Sequence, residues 1–185
     1  RKITMAEASL LACGVITGVG AVVNAAGHRA GQDVVVIGAG GVGLNAIQGA
    51  RIAGARRIVA VDVLQEKLDV AREFGATDGV MADEPEPWLR VHDLLGRGAD
   101  AVLVPRGILV VVGMPASGAL SSYEPCNFAA SGQAIIGSKM GDVVLSRDIP
   151  WLEDLYFQNR LKLDELVSRR WRLEQINEAI ADTLS

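Results

Sequence analysis

The stretch Val34–Gly43, taken together with Asp62, constrains the fold of this chain more than any other feature. Four apolar residues, 34–37, precede the first glycine, which is typical of a strand buried on both faces. A second run, Arg57–Val61, predicts another strand that ends at Asp62. Between the two, small and apolar residues recur at helical spacing and predict one buried stripe: Val42, Ala46, Ile47, Ala50 and Ala53.

Each glycine of this G-x-G-x-x-G pattern has a mechanical role in binding a dinucleotide. Gly38 permits the tight turn out of the strand, Gly40 lets the backbone approach a pyrophosphate, and Gly43 lets the helix lie close to the sheet. The free N–H groups where the helix begins, near Gly41, favour the phosphate charge. Asp62 can accept hydrogen bonds from both ribose hydroxyls and would repel a 2′-phosphate, which favours NAD over NADP.

Two other interpretations of the motif stay open at this point. The same glycines could form a turn in an α/β protein that binds no dinucleotide, although the flanking strands, the helix and the acidic residue supply the context that the motif requires. A methyltransferase that binds S-adenosylmethionine is the nearer rival. Such enzymes usually carry an acidic residue just before the first glycine, where this chain has Ile37.

Length and composition exclude several other classes of protein. The 185 residues suffice for one domain with a substantial core. A net charge of −4, with three Phe, three Trp and two Tyr, argues against a nucleic-acid partner. The two cysteines, Cys13 and Cys126, do not make a disulfide framework, so we expect a cytoplasmic protein. The apolar run 10–26 contains three glycines and lacks an anchor pattern, so we expect no membrane span.

Hydrophobic periodicity predicts alternating helices and strands along the rest of the chain. A short helix over 5–11 is followed by a break at Cys13 and Gly14 and by a second helix over 17–26. Later helices are predicted over 64–74, 88–95, 149–157 and 173–184, and later strands over 78–81, 100–104, 108–112 and 134–136.

This alternation predicts an α/β fold with a doubly wound, mostly parallel sheet. We expect a single Rossmann-like dinucleotide-binding domain over 1–185, with interdomain helices of 1–30 leading into it. Pro150 is expected near the first turn of its helix, where proline is tolerated. His28 and His92 have no metal-ligand spacing and are predicted to lie at the surface.

The connection between the strands predicted at 100–104 and 108–112 is too short for this fold. Three residues, 105–107, separate them, whereas parallel neighbours need a crossover of about a dozen or more residues. A hairpin would satisfy the spacing but not the parallel sheet. We therefore expect that a crossover is missing between residues 104 and 105, with a true hairpin as the alternative.

Several sequence blocks, found in one order, resemble the zinc-dependent medium-chain alcohol dehydrogenases. They are the run 11–18, the glycine motif of 34–43, Asp62 with Lys67, and the later runs 74–77, 110–115, 137–141, 161–166 and 174–179. The resemblance covers nearly the whole chain. It implies NAD and a catalytic zinc as cofactors, an alcohol or aldehyde as substrate, and assembly into homodimers or tetramers.

The resemblance also implies roles for individual residues. Cys13 falls at the third protein ligand of the catalytic zinc; on composition alone it would be a small buried residue. Thr17 falls beside the nicotinamide, as a catalytic residue, or else is a helix N-cap. Lys67 falls at a ribose contact, or else is a solvated surface lysine. The remaining expected cofactor contacts are Val42, beside the glycines, and Val112, Gly113 and Met114, where the nicotinamide would lie.

The sequence therefore predicts the NAD-binding domain of a zinc-dependent alcohol dehydrogenase, which in the whole enzyme transfers hydride between an alcohol and NAD. Members of this family have a catalytic domain before this region, and that domain supplies the other two zinc ligands. We accordingly expect the chain alone to be inactive and to form no tight zinc site. A non-catalytic dinucleotide-binding module is the alternative.

Overall fold

The computed structural model describes residues 3–96, 107–113 and 117–182. The strands in these ranges are β1 Asp33–Ile37, β2 Arg57–Asp62, β3 Asp78–Met81, β4 Ile108–Val111 and β5 Ala134–Gly137. The helices are α1 Met5–Ala25, α2 Gly41–Ile52, α3 Gln65–Phe74, α4 Pro87–Leu95, α5 Pro125–Ser131, α6 Leu145–Phe157 and α7 Ile176–Asp182. The strand predicted over 100–104, the join between residues 104 and 105, and Met114 fall outside the described residues.

The strand pairs in the described ranges are parallel, which confirms the predicted α/β class. β1 pairs with β2 and β2 with β3, and α2 and α3 supply the crossovers that parallel neighbours require. β4 and β5 form a second parallel sheet, with α5 in their crossover. The carboxyl ends of β1 and β4 are followed by Gly38 and Val112, two of the predicted cofactor contacts.

The first sheet is covered on both faces, as expected of a doubly wound fold. On one face α2 and α3 bury a cluster that includes Val34, Val36, Ile47, Ile58, Ala60, Leu68 and Phe74. On the other face, Val59, Val61 and Val80 pack against Leu95 of α4. Burying this much apolar surface fixes the strand register, because a slip of one residue would exchange the two faces.

The predicted break at Cys13 and Gly14 is wrong, because α1 runs without interruption from Met5 to Ala25. Two stretches within it, Leu11–Val15 and Ala21–Ala25, have π-helical hydrogen bonding. A glycine inside a helix costs about 1 kcal/mol relative to alanine, and tertiary packing outweighs that cost here. By length and composition α1 could span a membrane, but half of its most apolar window is buried within the domain, as in a core helix.

A second cluster joins α1 to α6 and the segment after it. The buried members are Leu11, Val15, Ile16, Val19, Leu152, Leu155, Tyr156, Leu161 and Leu163. The expectation that Pro150 lies in the first turn of α6 is wrong, since the helix already begins at Leu145. The Asp148 carboxylate accepts a hydrogen bond of 2.9 Å from the Val144 N–H and so caps the helix before the proline.

Candidate functional site

The glycine bend between β1 and α2 has a conformation that only glycine accommodates. The Gly38 N–H donates to the Val61 carbonyl at 2.8 Å, and the Gly38 backbone has a φ of +92°. A methyl group at Gly43 would overlap the Gly38 carbonyl oxygen. The helix therefore begins directly against the end of the strand, as the motif predicts.

Asp62 lies beside this bend and is hydrogen-bonded to it. Asp62 as a residue is 7% exposed. Its carboxylate Oδ2 accepts a hydrogen bond from the Ala39 N–H at 2.7 Å, and Oδ1 accepts one from the Leu64 N–H at 3.1 Å. Each carboxylate oxygen has two acceptor positions, so lone pairs remain for a further donor. The structure thus brings together the acidic residue and the glycine bend, which are 19 or more residues apart in sequence.

Burial alone would raise the pKa of Asp62, but the groups around it have the larger combined effect. Hydrogen bonds from the backbone N–H groups of Ala39, Leu64 and Val63, together with the Lys67 ammonium, hold the pKa of this carboxyl below its ordinary value of 3.8. Asp62 is therefore a carboxylate at neutral pH. Lys67 is exposed on α3, where it is free to contact a bound ligand.

The bend leaves room for a phosphate group. A methyl group at Gly38, Gly40 or Gly41 would have no protein atom within 4 Å, and Val42 is partly exposed. The first N–H groups of α2 have no acceptor within the helix. Open space, N–H groups without an acceptor in their own helix and a nearby carboxylate fit the pyrophosphate and ribose of a dinucleotide.

Thr17 reaches this region because α1 packs closely on α2. A methyl group at Gly18 would overlap the Val42 carbonyl oxygen, so α1 and the first turn of α2 are in backbone contact. Thr17 is buried in the middle of α1, which rules out its alternative role as a helix N-cap. Its hydroxyl lies 4.0 Å from the Met140 sulfur.

A left-handed turn at Met140–Asp142 holds α1 from the other side, and sequence reasoning missed it. Met140, Gly141 and Asp142 have φ values of 55°, 70° and 49°. Gly141 sits against Gly20, where a methyl group would overlap its carbonyl oxygen, and the Asn24 side chain donates to that oxygen at 3.1 Å. The glycines of α1 were the available signal, because small residues in an apolar helix permit close approach.

A cavity of about 500 Å³ opens between β1 and β4. Gly38 and Gly43 line it near the bend, and Val112 and Gly113 line it at the end of β4. The structure thus brings the glycines of the bend to one cavity with two of the predicted nicotinamide contacts, Val112 and Gly113, whereas Thr17 is not among the lining residues. His28 also lines it and is half-buried, so its predicted surface position is wrong, whereas His92 is exposed as predicted.

Cys13 lies on α1, one helical turn before Thr17, and its side chain is exposed. Within residues 3–96, 107–113 and 117–182, no group of three or more His, Cys, Asp or Glu side chains could hold a metal ion. Catalytic zinc requires three protein ligands. The described residues therefore do not make a zinc site by themselves.

The parallel sheets and the glycine bend with its acidic neighbour define a Rossmann-like α/β domain. A family model described as zinc-binding dehydrogenase matches residues 41–107. An alcohol dehydrogenase class-3 of Zea mays is 35% identical over 92% of this chain and 49% of its own length. A putative alcohol dehydrogenase D of Mycobacterium tuberculosis is 35% identical over 95% of this chain and 53% of its own length.

Two solved structures of alcohol dehydrogenases are also similar to this chain over nearly its whole length. Benzyl alcohol dehydrogenase from Acinetobacter calcoaceticus has a TM-score of 0.90 at 27% identity, over 99% of this chain and 55% of its own. An alcohol dehydrogenase zinc-binding domain protein from Burkholderia ambifaria has a TM-score of 0.90 at 34% identity, over 99% and 54%. Over nearly its whole length the chain resembles the zinc-dependent medium-chain alcohol dehydrogenases, which confirms the predicted resemblance, and it spans about half the length of the curated relatives it matches.

Proposed function

We propose that this chain is the NAD-binding part of a zinc-dependent alcohol dehydrogenase that transfers hydride between an alcohol and NAD. The observation that carries the proposal is the Asp62 carboxylate, which is hydrogen-bonded to the glycine bend at Ala39. The family supports an alcohol or aldehyde as the substrate class. Bound NAD would supply the hydride acceptor.

In this proposal, different residues of the chain bind the pyrophosphate, the adenosine ribose and the nicotinamide of NAD. The N–H groups of Gly40, Gly41 and Gly43 at the start of α2 bind the pyrophosphate, because the helix dipole favours negative charge there. Asp62 accepts hydrogen bonds from the adenosine ribose, and Lys67 on α3 contacts the same sugar. Thr17, Val42, Val112, Gly113 and Met114 contact the nicotinamide end.

Zinc belongs to the complete enzyme in this proposal, with Cys13 as one of its three protein ligands. A single exposed thiol does not hold catalytic zinc, so we propose that the chain alone does not oxidise alcohols. An assay of this chain with zinc, NAD and benzyl alcohol tests that statement, and measurable NADH formation would contradict it.

Titration calorimetry with NAD and NADP tests the binding proposal. We expect Asp62→Ala to weaken NAD binding about 10-fold or more, because a hydrogen bond to a charged group is lost. The natural chain should prefer NAD to NADP, and the variant should lose that preference since the carboxylate no longer repels the 2′-phosphate. Glu66→Ala, at an exposed position in the first turn of α3, is the matched control. Equal NAD affinity in all three proteins would remove Asp62 from its role, and binding of S-adenosylmethionine but not NAD would replace the proposal.

We also propose a cytoplasmic homodimer or tetramer. Two free cysteines support a reducing compartment. The half-exposed Ile135 on β5 supports a contact between copies at that strand. Sedimentation of the chain as a monomer at all concentrations would contradict the assembly.

A further inference from the structure

The cavity between β1 and β4 runs along both strands, beyond the part that lies beside the glycine bend. Residues 34–37 of β1 line one side of it, and residues 108–110 of β4 line the other. Among the described residues β1 pairs with β2 alone and β4 with β5 alone, so one edge of each strand borders this cavity without a strand partner. Backbone N–H and C=O groups on such edges pair readily with a further strand. We call this space the strand slot.

The segment whose composition fits the strand slot is the strand predicted over 100–104. It belongs to residues 97–106, which connect α4 to β4 and lie outside the described residues. Positions 101–104 are Ala, Val, Leu and Val, an unbroken apolar run that is typical of a parallel strand buried on both faces. The slot offers such a position, because a strand borders it on either side.

Within one chain, the connection to β4 is too short for this strand to fill the slot in the parallel direction. The carboxyl ends of β1 and β4 meet at the same cavity, so the two strands run the same way. Residues 105–107 would have to lead from the carboxyl edge of the sheet back to Ile108 at its amino edge. A return of this kind takes a crossover of about a dozen or more residues.

The antiparallel direction is also out of reach within one chain, because α4 ends at the amino edge of the first sheet. The Leu95 carbonyl accepts from Arg56 Nη2 at 3.5 Å, and Arg56 Nε donates at 2.9 Å to Asp33, the first residue of β1. An antiparallel strand over 100–104 would have to start at the opposite edge. Residues 97–100 span at most about 14 Å, whereas the five residues of β1 alone extend over about 16 Å.

We propose that two copies of this chain exchange halves and form a domain-swapped dimer. In each composite domain, strand 100–104 of one copy fills the slot beside its own β1, while β4 and all that follows it come from the other copy. Residues 105–107 then run from the carboxyl edge of one domain directly to the amino edge of the other, and the chain does not turn back. Short connections between packed parts favour such an exchange.

The exchange keeps the contacts between the two halves and changes only which copy supplies them. α1 packs on α6 through a buried apolar cluster, and Gly20 meets Gly141. The Gln48 side chain accepts from the Lys162 N–H at 2.7 Å and donates to the Lys162 carbonyl at 3.2 Å. Each of these contacts connects a residue before the join at 104–105 with a residue after it. The dimer therefore retains this packing and gains the strand that fills the slot.

Sedimentation velocity on three proteins tests the exchange, and all three carry Ile135→Lys. This substitution puts a charge at the half-exposed position on β5 and so removes the other proposed contact between copies. The first protein has no further change and should be a dimer. The second has a linker of about 20 Gly and Ser residues between positions 104 and 105, which supplies the length of a crossover, and it should be a monomer. The third has the same linker between Ala119 and Leu120, in an exposed loop, and should stay a dimer.

Two results of this experiment would overturn the proposal. If the first protein is a monomer, the halves are not exchanged, and a hairpin within one chain replaces the dimer. If the linker at 104–105 leaves the dimer intact, the short join is not its cause. Neither result involves NAD, so the exchange stands or fails separately from the proposed function.

The rate at which copies exchange provides a measurement that needs no insertion. Cys13→Ser leaves the exposed Cys126 as the single cysteine, and donor and acceptor dyes are attached to it in separate batches of the Ile135→Lys protein. Copies of a swapped dimer separate only when the two halves unpack. We therefore expect energy transfer only after the mixed batches are unfolded in urea and refolded together. Energy transfer that develops faster than unfolding when the folded batches are mixed, or none after joint refolding, would overturn the exchange.

Discussion

At the residue scale, Asp62 is hydrogen-bonded to the glycine bend and supplies the carboxylate of the candidate site. The N–H groups that hold its carboxylate come from Ala39, in the bend, and from Leu64, just after β2. In the proposed function the same carboxylate also accepts hydrogen bonds from the adenosine ribose. A substitution at Asp62 therefore changes both the stability of the chain and its ligand affinity.

The lowered pKa of Asp62 gives a pH dependence with a definite sign. Because the folded pKa lies below the ordinary value of 3.8, the stabilisation by Asp62 is fully present above that value. It is lost as the pH falls through the folded pKa. We expect the free energy of unfolding of Asp62→Asn, measured with urea, to fall less steeply below about pH 4 than that of the natural chain.

Asp83→Asn, which removes one carboxylate from an exposed turn, is the control for this measurement. Glu7 and Asp148 also have lowered pKa values, so some pH dependence remains in every variant. Parallel curves for Asp62→Asn and the natural chain would contradict the account of Asp62.

At the scale of elements, α1 is fixed through close glycine contacts on two sides. Gly18 meets the first turn of α2, and Gly20 meets Gly141 in the left-handed turn. These contacts set the position of Thr17 and Cys13 relative to the bend. The helix is therefore part of the candidate site as well as of the core.

Alanine substitutions in α1 test this packing. A methyl group at Gly20 would overlap the Gly141 backbone, so we expect Gly20→Ala to lower the free energy of unfolding by about 1–3 kcal/mol, the usual cost of overpacking. Gly14→Ala meets no atom within 4 Å and should raise it by up to about 1 kcal/mol, since alanine is the better helix former. Urea unfolding measures both, and equal effects of the two variants would contradict the packing account.

Local signals predicted the glycine bend, the strands around it and the acidic residue, because each depends on neighbours in sequence. The unbroken α1 could not be predicted in that way, since contacts with α2 and with the distant turn at Met140–Asp142 outweigh the local preference of Gly14. The predicted position of Pro150 within α6 was wrong for a similar reason. The hydrogen bond from the Val144 N–H to the Asp148 carboxylate caps α6 earlier in the chain.

At the scale of the whole molecule, two parallel sheets bring their carboxyl ends to one cavity. The bend after β1 lines it with Gly38, and the end of β4 lines it with Val112 and Gly113. A dinucleotide bound at the bend would extend across this cavity toward the end of β4. In the proposed function this cavity would receive both halves of NAD, in a chain that spans about half the length of its relatives.

The most direct test of this account is an NMR titration of the ¹⁵N-labelled chain, first with ADP-ribose and then with NAD. ADP-ribose should shift the amide signals of Gly40–Gly43 and Asp62–Leu64 most strongly, and NAD should add shifts at Val112 and Gly113. No shifts at saturating ligand, or the largest shifts on α4 and α7, would contradict binding at the glycine bend.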